Sequence, residues 1–123
     1  MENGKEKKDK LKKRLYGFVL KLIKTLENTK YNQTTKVINN QLLRSSTSIL
    51  ANYVEGQSSY SRKEFTNFLS ICLKSTNESK VWIALLKDTN YIEIKDAQDF
   101  LKELDEFSKI FASSILTLKQ NKK

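Results

Sequence analysis

The chain has 123 residues, a net charge of +9, one cysteine, three glycines, and neither histidine nor proline. That length fits one domain. The missing histidines remove the commonest general base, the usual nucleophilic triads and most zinc sites, and the lone Cys72 removes any internal disulfide. The absence of proline and scarcity of glycine leave long helices uninterrupted, whereas an all-β fold needs turns that favour those two residues.

Residues 1–9 (MENGKEKKD) are polar and charged, and their composition predicts a disordered basic N-terminal tail. A first helix is expected from Lys10 to Leu26. Leu11, Leu15, Phe18, Val19, Leu22 and Leu26 recur at three- and four-residue spacing and form its apolar stripe. Lys10, Lys13, Arg14, Lys21 and Lys24 cluster on the opposite side. Gly17 sits mid-helix at a cost of about 1 kcal/mol against alanine, which suggests a close helix approach.

Asn28 to Asn32 read as a loop, and a second helix follows from Thr34 or Thr35 to Glu55, with Gly56 as a C-terminal cap. Ser61 and Glu64 have the spacing of a capping box and open a third helix ending near Asp88. Phe65, Phe68, Leu69, Cys72, Ile83 and Leu86 share one face of it, and Ile71, Trp82 and Leu85 a neighbouring one. The fourth helix runs from Ile94 to Leu118 on a stripe of Ala97, Phe100, Leu101, Leu104, Phe107, Phe111, Ile115 and Leu118. Residues 119–123 form a basic C-terminal tail. The expected fold is all-α: a single antiparallel up-down-up-down four-helix bundle over residues 10–118, because short loops force neighbouring helices to run antiparallel. The rival arrangement is a helical hairpin that folds only on oligomerising.

The second helix departs from simple amphipathicity. At about 100° per residue, Gln41, Arg44, Ser45, Ser48, Asn52 and Glu55 fall within one arc. Ile38, Leu42, Ile49 and Tyr53 adjoin it, and Leu43, Leu50 and Val54 extend the apolar side, so this helix is expected to be buried on more than one side. A mostly uncharged polar stripe suits a packed interface better than a solvated face. Ser75, Thr76, Glu78 and Ser79 are its candidate counterparts. Arg44 is expected to pair with Glu55 or Glu78, within the bundle or across a subunit contact. A solvent face and a ligand site are the other two readings of the stripe.

Charge is uneven along the chain. Residues 1–24 carry nine Lys or Arg against three acids, and residues 93–118 carry three against six. Such asymmetry points to a polyanionic partner or to charge pairing between helices. Asp96, Asp99, Glu103, Asp105 and Glu106 read as a solvated acidic face, since metal-carboxylate bundles use Glu-x-x-His pairs that this chain lacks. Cys72 reads as a buried structural thiol. No apolar run approaches the roughly 20 residues of a membrane span, and no signal peptide is evident, so a cytoplasmic location is expected.

The run Gln41-Leu42-Leu43-Arg44-Ser45-Ser46-Thr47-Ser48-Ile49, then Asn52-Tyr53-Val54-Glu55-Gly56, then Ser61-Arg62-Lys63-Glu64-Phe65 and Phe68-Leu69, resembles the four-helix-bundle proteins encoded in intervening sequences of bacterial 23S ribosomal RNA genes. That family includes the accessory variability proteins of diversity-generating retroelements. Leu15 to Val19 and Asp88 to Ile92 also fall where the family places similar residues, and the likeness spans about residues 11–118. It implies a bundle, a pentameric ring, a basic surface suited to RNA or DNA, and neither catalysis nor a cofactor. The chain differs in having Tyr53-Val54 for a more usual Ile-Ala, and Lys74-Ser75-Thr76 for a Gly-Ser-Ala type run.

Two functions follow from charge and resemblance together. The first is sequence-independent nucleic-acid binding through Lys10, Lys13, Arg14, Lys21 and Lys24, helped by Lys5, Lys7, Lys8, Lys12 and the C-terminal lysines, with Tyr16 and Tyr60 as the only stacking candidates. The second is a protein-interaction scaffold or accessory subunit for a nucleic-acid enzyme such as a reverse transcriptase. An enzyme of its own is not expected, and neither is a metal.

Overall fold

The computed structural model describes residues 3–120, and these form four helices with no strand among them. They are α1 (Gly4–Glu27), α2 (Gln33–Gly56), α3 (Arg62–Asp88) and α4 (Ile94–Gln120).

The order of cross-helix contacts fixes the direction of each helix. Arg14 reaches Glu103 while Lys21 reaches Asp99, so α1 and α4 run antiparallel. Ser45 meets Ser79 and Ser48 meets Ser75, which orients α2 against α3. Lys80 meets Asp105 and Asn77 meets Ser108, which orients α3 against α4. The α1–α2 and α3–α4 loops lie at the same end, joined by a hydrogen bond from Asn32 Nδ2 to the Tyr91 hydroxyl at 3.2 Å.

The predicted stripes form the core. Leu15, Leu22, Leu42, Ile49, Leu69, Cys72, Ile83, Leu86, Ala97, Phe100, Leu104, Phe107 and Phe111 are almost wholly buried. Phe18 of α1 sits edge-on to both Phe100 and Phe107 of α4, at 5.4 and 5.7 Å between ring centroids. Edge-to-face rings match the positive edge of one to the negative face of the other. Helix α2 is indeed buried toward both of its neighbours, although Val54 at its end is exposed.

Four local expectations are corrected. Helix α1 starts at Gly4, so residues 4–9, expected to be disordered, are helical. The Asn3 side chain accepts from the Glu6 backbone N–H at 2.8 Å, an N-cap that the Asn-x-x-Glu spacing encodes. At the other end α4 takes in Lys119 and Gln120, and the rest of the expected C-terminal tail lies outside the described residues. The complete capping box is at Asn32 and Thr35, each bonding the other's backbone N–H at 2.9–3.0 Å, whereas at Ser61 only one half of a box forms, its side chain accepting from the Glu64 N–H. Finally, Gly56 is not a left-handed cap. It lies in helical backbone and is buried, and a Cβ there would come 3.0 Å from the Phe68 Cβ, so its role is close approach of α2 to α3.

The left-handed cap stands elsewhere. Asn90 has φ 64°, with Tyr91 N–H on the Leu86 carbonyl and Asn90 N–H on the Lys87 carbonyl. These are the two bonds of a Schellman motif, with asparagine in the usual glycine position. No helix among the described residues is long and apolar enough to cross a membrane.

Candidate nucleic-acid interface and polar seam

The five predicted cations of α1 divide into two sets. Arg14 turns toward α4, donates to Glu103, lies 3.4 Å from Glu106 and stacks over the Phe107 ring. The hydrogen bond to Glu103 holds the guanidinium pKa above its ordinary value. Lys21 approaches Asp99 at 3.8 Å and lies over the Phe100 ring. Lys10, Lys13 and Lys24 are exposed, as Lys21 is, but neither Lys13 nor Lys24 has an ion pair among the described residues. Lys24 sits in the last turn of α1, where a cation complements the helix dipole.

The acidic face of α4 is thus partly engaged within the chain. Asp99, Glu103 and Glu106 repeat at i, i+4 and i+7, and Arg14 and Lys21 at i and i+7, a complementarity visible in the sequence. Asp105 pairs with Lys80 of α3 at 2.9 Å, which holds its carboxyl below the usual range. Beyond Lys21 and Lys24, an open cleft of about 700 Å³ separates the end of α1 from the start of α4, bordered also by Lys95 and Asp96.

The α2 polar stripe divides similarly. Ser45, Ser48 and Asn52 join a hydroxyl seam with α3. Ser45 and Ser46 both bond Ser79, at 2.7 and 3.1 Å, and Ser75 donates to Ser48 at 3.0 Å. Asn52 donates to the Ser48 carbonyl and hydroxyl. Ser79 and Thr76 can turn their hydroxyls back to the carbonyls of Ser75 and Cys72, and so satisfy groups that burial would otherwise leave unpaired. Direct hydroxyl–hydroxyl bonds need close helix axes, which small side chains permit.

The remaining members of the stripe lie outside this seam. Gln41 is half-buried, and Arg44 and Glu55 are exposed, as is Glu78 of α3. Arg44 has no ion pair to Glu55 or Glu78 within the described chain. A guanidinium on the outer side of α2 keeps its hydration there, so nothing draws it inward. Ser46 is the seam member that the stripe missed. It lies about 140° from Gln41 on the helix wheel, yet its hydroxyl reaches the same Ser79.

Burial pushes the Cys72 thiol up to about 12, and its sulfur points at the Ile49 carbonyl. A thiol so shifted is not a nucleophile at neutral pH. Among the described residues no three Cys, Asp or Glu gather closely enough to hold a metal ion.

The described chain is a small all-helical bundle of four antiparallel helices. The chain belongs to the 23S rRNA-intervening sequence protein family, whose profile matches residues 7–113. It is similar to the crystal structure of a protein of unknown function from the S23 ribosomal protein family of Bacteroides thetaiotaomicron, at 32% identity and a TM-score of 0.80. That match covers 89% of this chain and 97% of the other. Comparison with curated proteins returned no significant match.

Proposed function

We propose that this protein is a non-catalytic, cytoplasmic bundle that binds RNA or DNA through the exposed cations of α1, largely without reading sequence. The observation that carries this reading is that Lys13 and Lys24 have no ion pair among the described residues after the acids of α4 have engaged Arg14 and Lys21. Lys5, Lys7 and Lys12 extend the same exposed helix. Membership in a family named for 23S rRNA intervening sequences supports an RNA partner. Phosphate contacts of this kind position a protein without specifying bases.

The reading includes a homo-oligomer, with a pentameric ring as the assembly implied by resemblance. Ile71, Val81 and Leu85 are exposed on one outer face of α3, with Lys74 and Glu78 between them. Arg44 and Glu55 lie on the outer side of α2. A subunit contact over these faces would bury the apolar residues and offer Arg44 a carboxylate. It would also multiply the basic helix and raise avidity. The same apolar face favours a second reading, in which the protein is an accessory subunit for a nucleic-acid enzyme.

A salt series tests the first reading. Affinity for RNA should weaken steeply as salt rises, and changing Lys13 and Lys24 to glutamine should make the slope shallower by roughly 1–2. An absence of binding at low salt would leave the accessory-subunit reading in front.

A further inference from the structure

Gly17 has no structural role inside the bundle. It lies exposed in the middle of α1, its φ is not positive, and a Cβ built on it meets nothing within 4 Å. The expected close helix approach is not made within this chain. A glycine there nevertheless weakens the helix relative to alanine.

Helical geometry places Lys13 one turn before Gly17 and Lys24 two turns after it, on nearly the same line. Arg14 and Lys21 also flank the glycine but are turned toward α4. The result is a notch in the helix surface with Lys13 and Lys24 along its axis. Beside that line runs an apolar strip of Tyr16, Leu20 and Ile23, exposed by 61%, 44% and 37%. From Lys10 to Lys24 the helix carries no acid. A protein partner for such a strip would have to cover a purely cationic row as well.

We propose that this face selects single-stranded over duplex nucleic acid, with a phosphate in the Gly17 notch and an unpaired base laid on Tyr16. The inference rests on the nucleic-acid reading above. A missing side chain lets a bulky anion approach the helix between two cations. A base offers its π-face to an aromatic platform only when it is free of a duplex, and such stacking tolerates any sequence. Duplex could reach the lysines but not the platform.

The test compares a labelled oligouridine of about 12 nucleotides with duplex RNA of similar length at low salt. Tyr16→Leu should weaken oligouridine binding about fivefold or more and leave duplex binding nearly unchanged. Gly17→Gln should weaken oligouridine binding while the melting temperature holds or rises, which removes misfolding as the cause. If Tyr16→Leu leaves oligouridine binding intact, or weakens both ligands equally, the inference is overturned while the broader reading stands. A change of oligomeric mass in either variant, read by light scattering, would assign the face to a protein contact and also overturn it. Wild-type protein that binds neither RNA would remove both readings together.

Discussion

Ser45 and Ser79 share a hydrogen bond of 2.7 Å between two buried hydroxyls, and Ser46 leans on the same Ser79 oxygen at 3.1 Å. One side chain of α3 therefore satisfies two of α2. Ser79→Ala should cost about 1–3 kcal/mol in urea unfolding, because it orphans buried donors and acceptors on the facing helix. Removing Ser45 and Ser79 together should cost less than the sum of the single changes. Strict additivity would mean that the two hydroxyls are not coupled.

The two internal glycines should respond to alanine with opposite signs. At Gly56 an added methyl presses on Phe68 and Phe65, and overpacking of this kind costs about 1–3 kcal/mol. At Gly17 there is open space and a helix interior, so alanine should stabilise by about 0.5–1 kcal/mol. Thermal unfolding of the two variants reads the difference directly.

Glu103 and Glu106 hold Arg14 at a half-exposed site, so replacing both with glutamine should change stability by no more than about 1 kcal/mol. The same change frees a guanidinium and raises net charge. Under the proposed function, RNA affinity at low salt should rise. Unchanged affinity would mean that this side of α1 is not part of the binding surface.

Alkali should destabilise the fold through Cys72 and Tyr53. Their folded pKa values are pushed up to about 12 from 9.0 and 10.0, chiefly by burial. The unfolded chain then binds fewer protons between pH 9 and 12, so unfolding free energy falls as pH rises through that window. Below the unfolded values the contribution is fully present. Cys72→Ala should flatten the first part of the decline. At pH 8 the thiol should resist Ellman's reagent until urea unfolds the protein.

The sequence carried the bundle well and the surface less well. Apolar repeats at three- and four-residue spacing are dense enough to name nearly every core residue of α1 and α4. The seam was legible because Ser45, Ser48 and Asn52 are small and uncharged on a long helix. Two things were obscured. The Asn3 cap stands among lysines and glutamates, whose abundance suggests disorder even though they are good helix formers. The fate of Arg14 depends on which helix lies beside it, and that is a tertiary fact. Arg44 was expected to pair with Glu55 or Glu78 because it shares the polar stripe, but within the chain it stays exposed, where a guanidinium avoids the desolvation cost.

The hydroxyl seam also bears on the order of assembly. Ser45 and Ser79 are 34 residues apart and joined across one short loop, whereas Arg14 and Glu103 are separated by 89. Closing the shorter loop costs less chain entropy. The α2–α3 hairpin, like the α3–α4 hairpin whose Asn77 and Ser108 are 31 residues apart, should therefore form early, with α1 and α4 meeting late. Mutations in the seam should slow folding, while breaking the Arg14 pair should mainly hasten unfolding. The helix that carries the cations would then be the last to dock and the first to come away.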